Sequence, residues 1–136
     1  MDKIMAEETD NKVTQLRKGI LELAVLAALY QNSHYGYSLV RHLTGPEAIE
    51  IKEGTIYPIL TRLAREGLVR SQWVESSQGP PRKYYELTTA GRAACESLQT
   101  EFRRLVRLVD GAAGSGADPA VAPAENKITI RRKKND

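Results

Sequence analysis

The segment TIYPILTRLAREGLVRSQWVESSQGPPRKYYEL, residues 55–87, decides the fold because it sets one helix directly before two strands. Thr55 is the predicted N-cap, although the helix could start one or two residues earlier. Pro58 then falls early in the helix, where its missing N–H costs little. Apolar side chains at the i, i+4, i+7 spacing form the predicted core face of this helix: Ile56, Leu60 and Leu63. Gly67 then ends the helix as a C′ glycine.

A β-hairpin with a basic shoulder is predicted after this helix. Residues 68–75 and 82–87 are rich in residues that fit strands, and residues 76–81 are a cluster of turn formers. Arg82 and Lys83 supply the basic shoulder. Trp73 is predicted to pack the hairpin on the core. Tyr84 and Tyr85 alternate along the strand, so one of them should pack and the other should be exposed.

Upstream, the helix that contains residues 20–30 is apolar on all sides. Only Glu22 is charged between Ile20 and Leu29, so this helix must be buried on more than one side. One face can cover the domain's own core while another meets a partner chain. Few other elements are available to cover both faces, which favours the partner and predicts Leu21 and Val25 as interface positions.

A second, shorter helix is predicted between these two. The run His34-Tyr35-Gly36-Tyr37 breaks the first helix and opens the second, and Gly45-Pro46 ends it. Residues 48–51 are predicted to form a short extended piece. The connector over residues 46–53 is longer than in a plain helix-turn-helix, which winged domains tolerate because a short strand can lie there.

Downstream, Thr88 or Thr89 is predicted to cap a long helix that runs to about Asp110. Its apolar residues are spaced 3, 4, 3, 4, which is a heptad seam: Cys95, Leu98, Phe102, Leu105 and Val109. This seam can pack on the domain's own core or on a second subunit. Pairing with the first helix of a second subunit is the preferred interpretation, with Leu98, Phe102, Leu105 and Val109 at the interface and Cys95 as a small core residue.

The order of elements predicts a mainly α fold with a small β-hairpin, in the α+β class: a winged helix-turn-helix with a long C-terminal dimerisation helix. We expect a flexible segment over residues 1–13, the winged domain over residues 14–88 and the dimerisation helix over residues 89–110. Residues 111–136 are predicted to be a disordered linker rich in Gly, Ala and Pro, followed by a basic tail. In such a fold the third helix enters the major groove of DNA.

The charge distribution agrees with a nucleic-acid partner. The net charge is only +3, but residues 1–16 carry two basic and four acidic groups, which gives −2. Residues 52–83 carry six basic and three acidic groups, which gives +3 on the helix and hairpin. Basic groups that neutralise phosphates make affinity fall steeply with salt. Some of these charges are expected only to form solvated pairs, such as Arg62 with Glu66.

Several classes of protein are excluded. One cysteine excludes a disulfide framework, and Cys95, His34 and His42 lack the spacing of metal ligands. No catalytic constellation is found, so we predict no enzyme activity, no cofactor and no metal. No apolar run is long enough to span a membrane and the first residues do not resemble a signal peptide, so the expected location is the cytoplasm.

Five stretches occur in this order: Arg17-Lys-Gly-Ile-Leu-Glu-Leu23, Tyr35-Gly-Tyr-Ser-Leu39, Glu53-Gly-Thr-Ile-Tyr-Pro-Ile-Leu60, Arg62-Leu63 with Glu66-Gly-Leu68, and Gly79-Pro-Pro-Arg-Lys-Tyr-Tyr-Glu-Leu-Thr88 with Gly91. Together they resemble the PadR family of bacterial transcriptional regulators, over roughly residues 14–110. The resemblance implies a homodimer of the short form and repression by binding to a double-stranded DNA operator. It also implies release by a small aromatic or lipophilic effector.

The candidate DNA contacts combine this resemblance with the charge pattern: Lys18, Tyr37, Lys52, Thr55, Tyr57, Thr61, Arg62, Arg82 and Lys83. Tyr57 is equally well explained as a half-buried packing residue. Two features depart from the family: Phe102 is the sole aromatic of the last helix, where relatives often carry a tryptophan, and the basic tail is absent from the family pattern. The alternative function is a winged-helix module that binds an acidic protein partner without sequence-specific DNA binding.

Overall fold

The structure, a computed structural model, describes residues 3–45 and 50–114. It confirms a mainly helical winged-helix fold with a small antiparallel sheet. The elements follow one another in this order: α1 Lys3–Gln31, β1 His34–Tyr35, α2 Gly36–Thr44, α3 Glu53–Arg65, β2 Val69–Val74, β3 Arg82–Leu87 and α4 Thr89–Ala112.

Helix α1 begins at Lys3, so residues 3–13, which we expected to be flexible, are helical. Most of these residues are good helix formers, and the hydroxyls of Thr9 and Thr14 each donate to a carbonyl four residues back, at 3.0 Å. Every side chain from residue 3 to residue 20 is exposed. The first half of α1 therefore contributes nothing to the core of its own domain.

Helix α3 begins three residues earlier than predicted. Lys52 is the N-cap and Glu53 the first helical residue, so Thr55 is inside the helix and does not cap it. Pro58 lies within the helix, where it cannot donate to the carbonyl of Gly54. The end of the helix is as predicted, because Gly67 follows the C-cap Glu66 with a φ of 79°.

The sheet has three strands in the order β1-β3-β2, all antiparallel. The hairpin β2–β3 agrees with the prediction. The third strand was missed: it is the two-residue β1, in which His34 pairs with Tyr85 and Tyr35 with Tyr84. The sequence instead predicted a short extended piece over residues 48–51 of the connector. Residues 50–52 form no regular element, and residues 46–49 lie outside the described part of the chain.

The core lies between α1, α2, α3 and the sheet, and its buried side chains are Val25, Leu26, Ala28, Leu29, Leu39, Ile56, Ile59, Leu60, Leu63, Val69, Tyr85, Leu87 and Cys95. The predicted core face of α3 is thus confirmed. Val25 is 0% exposed within a single chain, so its assignment to the dimer interface is wrong. Leu21 is partly buried against the same core.

The start of α4 is fixed by Thr88, as predicted for a capping residue. Its hydroxyl accepts from the backbone N–H of Gly91 at 3.0 Å and donates to the carbonyl of Gly67 at 2.7 Å. The chain divides into two compact units, Met1–Leu98 and Gln99–Asp136. The first unit holds all the elements up to the first turns of α4. Within residues 3–45 and 50–114, no helix is both long and apolar enough to cross a membrane.

Candidate nucleic-acid interface

Helix α3 presents a polar surface opposite its buried face. Thr55 and Thr61 are exposed, and Tyr57 is 43% exposed. Lys52 is exposed at the N-cap. Because residues 56, 59, 60 and 63 hold the helix against the core, these polar side chains stay on the outside. The exposed face of α3 can therefore meet the edges of bases.

Next to this face lies a concavity of about 310 Å³, which we call the wing notch. It is bounded by the start of α2, by α3 and by the hairpin β2–β3, which is the wing. Its lining residues are Tyr35, Gly36, Tyr37, Tyr57, Trp73, Arg82, Lys83 and Tyr85. Two of them are cations and none is a carboxylate, so the wing notch is suited to an anionic partner.

Tyr57 packs against Gly36 and is nevertheless 43% exposed, so its packing role is observed and its contact with DNA stays a prediction. A Cβ atom at Gly36 would overlap the Tyr57 hydroxyl, so the phenol ring lies directly on the glycine. The absence of a side chain at Gly36 fixes where Tyr57 sits, while much of the ring remains open to the wing notch. Burial, with a smaller effect of Tyr57, raises the pKa of the neighbouring Tyr85.

The two cations of the wing notch lie against aromatic rings. The guanidinium carbon of Arg82 is 4.5 Å from the ring centroid of Tyr35. The Lys83 ammonium is 5.9 Å from the ring centroids of both Trp73 and Tyr85. Within residues 3–45 and 50–114 neither cation forms a salt bridge. Stacking on a ring face orients a cation and leaves its N–H donors available for phosphate oxygens.

The prediction that Trp73 packs the hairpin on the core is wrong, because its side chain is 68% exposed. It shares a sheet face with Val69, which is the one buried residue of β2. The core ends beneath Val69 and Tyr85, so a residue four positions further along β2 extends past its edge. Of the two tyrosines in β3, Tyr85 is buried and Tyr84 is partly exposed, as their alternation predicted.

Arg62 differs from the other candidate DNA contacts because it forms an ion pair with an acidic residue of another helix. Its Nε and Nη2 atoms donate to Oε2 of Glu22 on α1, at 3.0 and 2.5 Å. The side chains of this pair are 38% and 30% exposed. The pair with Glu66 that we had considered is not formed. Arg62 thus joins α3 to α1, and its charge is already paired with that of Glu22.

We therefore expect Arg62→Ala to act on stability more than on DNA binding. Its loss leaves Glu22 half-buried without a partner, which should lower the free energy of unfolding by about 1 kcal/mol in urea titrations. The dependence of DNA affinity on salt should change by much less than the ~0.9 logarithmic unit of a lost phosphate contact. Arg65→Ala is the matched control, since Arg65 is exposed and has no salt bridge within the described residues. A full unit of salt dependence lost with Arg62 would contradict this assignment.

The remaining candidates fall into two places. Tyr37 is 53% exposed and lines the wing notch. Lys18 lies beside Thr55 in a second hollow of about 370 Å³ between α1 and the start of α3. Arg17 lines the same hollow and was not predicted as a contact. The sequence feature that could have indicated Arg17 is its position directly before Lys18.

The two histidines form no metal site. Their ring centroids are 5.2 Å apart, and burial, with a smaller effect of His42, lowers the pKa of His34. His34 is therefore mostly neutral at neutral pH. No group of three or more metal-binding side chains occurs among the residues that the structure describes. Cys95 is buried, and burial raises the pKa of its thiol, so it is a core residue.

The predicted seam of α4 is exposed beyond Cys95. Leu98 is 44% exposed, Phe102 37%, Leu105 48% and Val109 64%. Within a single chain these side chains leave a large apolar surface in contact with water.

Comparison with known proteins places these features in a family. The model of the transcriptional regulator PadR-like family matches residues 25–97. A similar curated protein is the transcriptional regulator Rv3488 of Mycobacterium tuberculosis, 30% identical over 97 residues, or 71% of this chain and 89% of that protein.

Solved structures agree. A PadR-like transcriptional regulator from Bacillus cereus is 33% identical with a TM-score of 0.66, over 73% of this chain and 96% of that one. A PadR family transcriptional regulator from Eggerthella lenta is 30% identical with a TM-score of 0.68, over 82% of this chain and 97% of that one.

Proposed function

This chain belongs to the PadR-like family of transcriptional regulators, and we propose that it is a homodimeric repressor that binds a palindromic operator through α3 and the wing. As a member of that family it is a DNA-binding regulator and not an enzyme. The repressor role, the dimer and the residues that contact DNA are the parts that we propose.

One observation carries the proposal: the wing notch, with Arg82 and Lys83 and no carboxylate, lies beside the exposed polar face of α3. An α-helix fits the major groove, where Thr55 and Thr61 can reach base edges. A wing next to that helix meets the adjacent backbone, where cations bind phosphates. Lys18 and Lys52 supply further phosphate contacts near the N-terminal end of α3.

Selection of bound duplexes from a random pool tests this function. We expect a palindromic sequence with half-sites about one helical turn, roughly 34 Å, apart, because a two-fold dimer binds two equivalent sites. Affinity for the selected duplex should fall steeply with salt. Absence of any sequence preference at moderate salt would count against a repressor. Capture of a stable acidic protein together with absence of DNA binding would favour the interaction module instead.

The exposed apolar face of α4 supports a homodimer. On α1, the side chains of Val13, Leu16 and Ile20 are 42%, 71% and 39% exposed and are spaced 3 and 4 residues apart. They replace Val25 as the partner-facing positions of α1, next to Leu21. Two-fold pairing would bury the α4 face of each chain against the α1 face of the other.

Leu105→Glu is expected to convert the dimer to a monomer at micromolar concentration. Burying an unpaired carboxylate in the seam should weaken association by at least about tenfold. Sedimentation velocity over a range of concentrations measures this change. Arg107→Glu, which places the same group on the opposite face of α4, should leave the dimer intact. Equal dissociation by both variants would show that the seam is not the interface.

Release by a small aromatic or lipophilic effector is carried over from the resemblance alone. Phe102 is the aromatic side chain that α4 offers to such a compound, at 37% exposure. Titration of aromatic compounds against the protein–DNA complex tests this step. A panel that causes neither DNA release nor a thermal shift would indicate a regulator without an effector.

A further inference from the structure

We propose that Trp73 is a DNA-contacting residue whose indole packs on the sugar–phosphate backbone that enters the wing notch. This contact supplies a part of the affinity that does not depend on salt. The inference rests on the proposed DNA-binding function and adds to it a residue that neither charge nor the family resemblance assigns.

The first support is the exposure of the ring. The Trp73 indole is 68% exposed at the end of β2, past the edge of the core. A large aromatic ring in water costs free energy that binding recovers, and tryptophan is enriched at interfaces for this reason. In the described residues its ring neighbour is Lys83, whose ammonium is 5.9 Å from the indole centroid.

The second support is the direction in which the ring points. Trp73 is the cross-strand partner of Lys83, and partners in an antiparallel pair lie on the same sheet face. Tyr85, two residues along β3, shares that face and is buried. This is therefore the face turned toward α3. Trp73 and Tyr57 accordingly line the same notch.

The third support is the chemistry of the wing notch. It combines two cations with five aromatic rings and has no carboxylate in its lining. The backbone of a DNA strand matches both parts, because its phosphates pair with the cations and its sugars present apolar surface to the rings. An acidic peptide would satisfy the cations only where its side-chain carboxylates happen to lie, whereas DNA carries phosphates at regular, close spacing along the strand. The notch thus favours a DNA strand.

The test is DNA binding by Trp73→Ala, measured by fluorescence anisotropy on a duplex selected with the wild-type protein and on a short duplex of random sequence. We expect affinity for both to fall about tenfold, as for other aromatic contacts with nucleic acid. The slope of log affinity against log salt should not change, because no cation is lost. Trp73→Phe should retain most of the affinity, since it keeps a ring.

Gln72→Ala is the matched control. Gln72 is the neighbouring residue of β2, is exposed and points to the opposite sheet face. It should bind both duplexes like the wild type. Thermal unfolding of each variant checks the fold, which should be preserved because the indole lies mostly outside the core.

Intrinsic fluorescence gives a second readout that needs no variant. Trp73 is the sole tryptophan of the chain, so its emission and its quenching by acrylamide report on this one site. DNA should shift the emission and protect the indole from acrylamide. An indole that DNA does not protect, together with unchanged affinity of Trp73→Ala, would overturn the inference. If the wild-type protein still bound DNA, the proposed function would not be affected. Absence of wild-type binding would instead overturn the function itself. Equal losses of affinity in Trp73→Phe and Trp73→Ala would also overturn the inference about Trp73, since the aromatic ring would then not be the contact.

Discussion

The variant with Arg82→Ala and Lys83→Ala is expected to bind DNA at least about a hundredfold more weakly than the wild type at about 0.1 M salt. Both cations lie in the wing notch over aromatic rings, and among the residues that the structure describes neither is paired with an acid. Each lost phosphate contact should remove about 0.9 unit from the slope of log affinity against log salt. In the proposed homodimer the double variant loses two contacts per chain and four per complex, so it should lose about 3.6 units of slope.

The loss should be nearly the same for the selected duplex and for a random one, because phosphate contacts position the protein and do not read sequence. This distinguishes the wing cations from α3, where substitution of Thr55 or Thr61 should act on the selected duplex alone. It also distinguishes them from Trp73, whose loss should leave the slope intact. Anisotropy titrations at four or five salt concentrations measure both quantities.

Arg70→Ala is the control for a lost charge on the wing. Arg70 lies on β2 but donates from Nε to Glu86 at 2.8 Å, so its charge is already matched within the hairpin. It should bind DNA almost like the wild type. If Arg82 and Lys83 prove no more important than Arg70, the wing notch has no part in DNA binding.

The elements that periodicity and turn chemistry define were predicted from the sequence. The face of α3 that carries Ile56, Leu60 and Leu63 is buried as predicted, and Gly67 ends that helix. These features depend on residues close in the chain. The strand β1 was missed because two residues carry no periodic signal, and its pairing with β3 depends on a segment about 50 residues away.

The partners of charged and apolar side chains were harder to predict. Arg62 pairs with Glu22, which is 40 residues away in sequence, rather than with its helical neighbour Glu66. Val25 is part of its own core although the run around it predicted a shared surface. Arg82 and Trp73 show the same limit: sequence identifies a wing, but only the packing of α2, α3 and the hairpin makes a notch of it.

Gly91→Ala is expected to give the largest loss of stability among single substitutions considered for this chain. Gly91 lies in the first turn of α4, and a Cβ atom there would overlap the carbonyl oxygen of Leu68. The same Cβ would be 2.9 Å from the carbonyl carbon of Leu68 and 3.3 Å from Cδ2 of Leu87. Backbone atoms cannot move aside as the end of a flexible side chain can.

The neighbouring contacts oppose a shift of α4 away from Leu68. The carbonyl of Leu68 also accepts the N–H of Thr88 at 3.1 Å. The hydroxyl of Thr88 holds the carbonyl of Gly67 at 2.7 Å. Moving the first turn of α4 away from Leu68 would stretch both bonds and the packing of Leu87. We therefore expect the free energy of unfolding to fall by about 3 kcal/mol, at the upper end for overpacked sites.

Urea unfolding at one fixed protein concentration measures this loss, because stability of a dimer depends on concentration. Gly19→Ala is the control: Gly19 is in the interior of α1, and a Cβ there would meet nothing within 4 Å. Its substitution should stabilise the chain by about 0.5–1 kcal/mol through helix propensity. Opposite signs for two Gly→Ala changes in helices would locate the difference in the contact with Leu68. A Gly91→Ala variant as stable as the wild type would mean that α4 can leave Leu68 without cost.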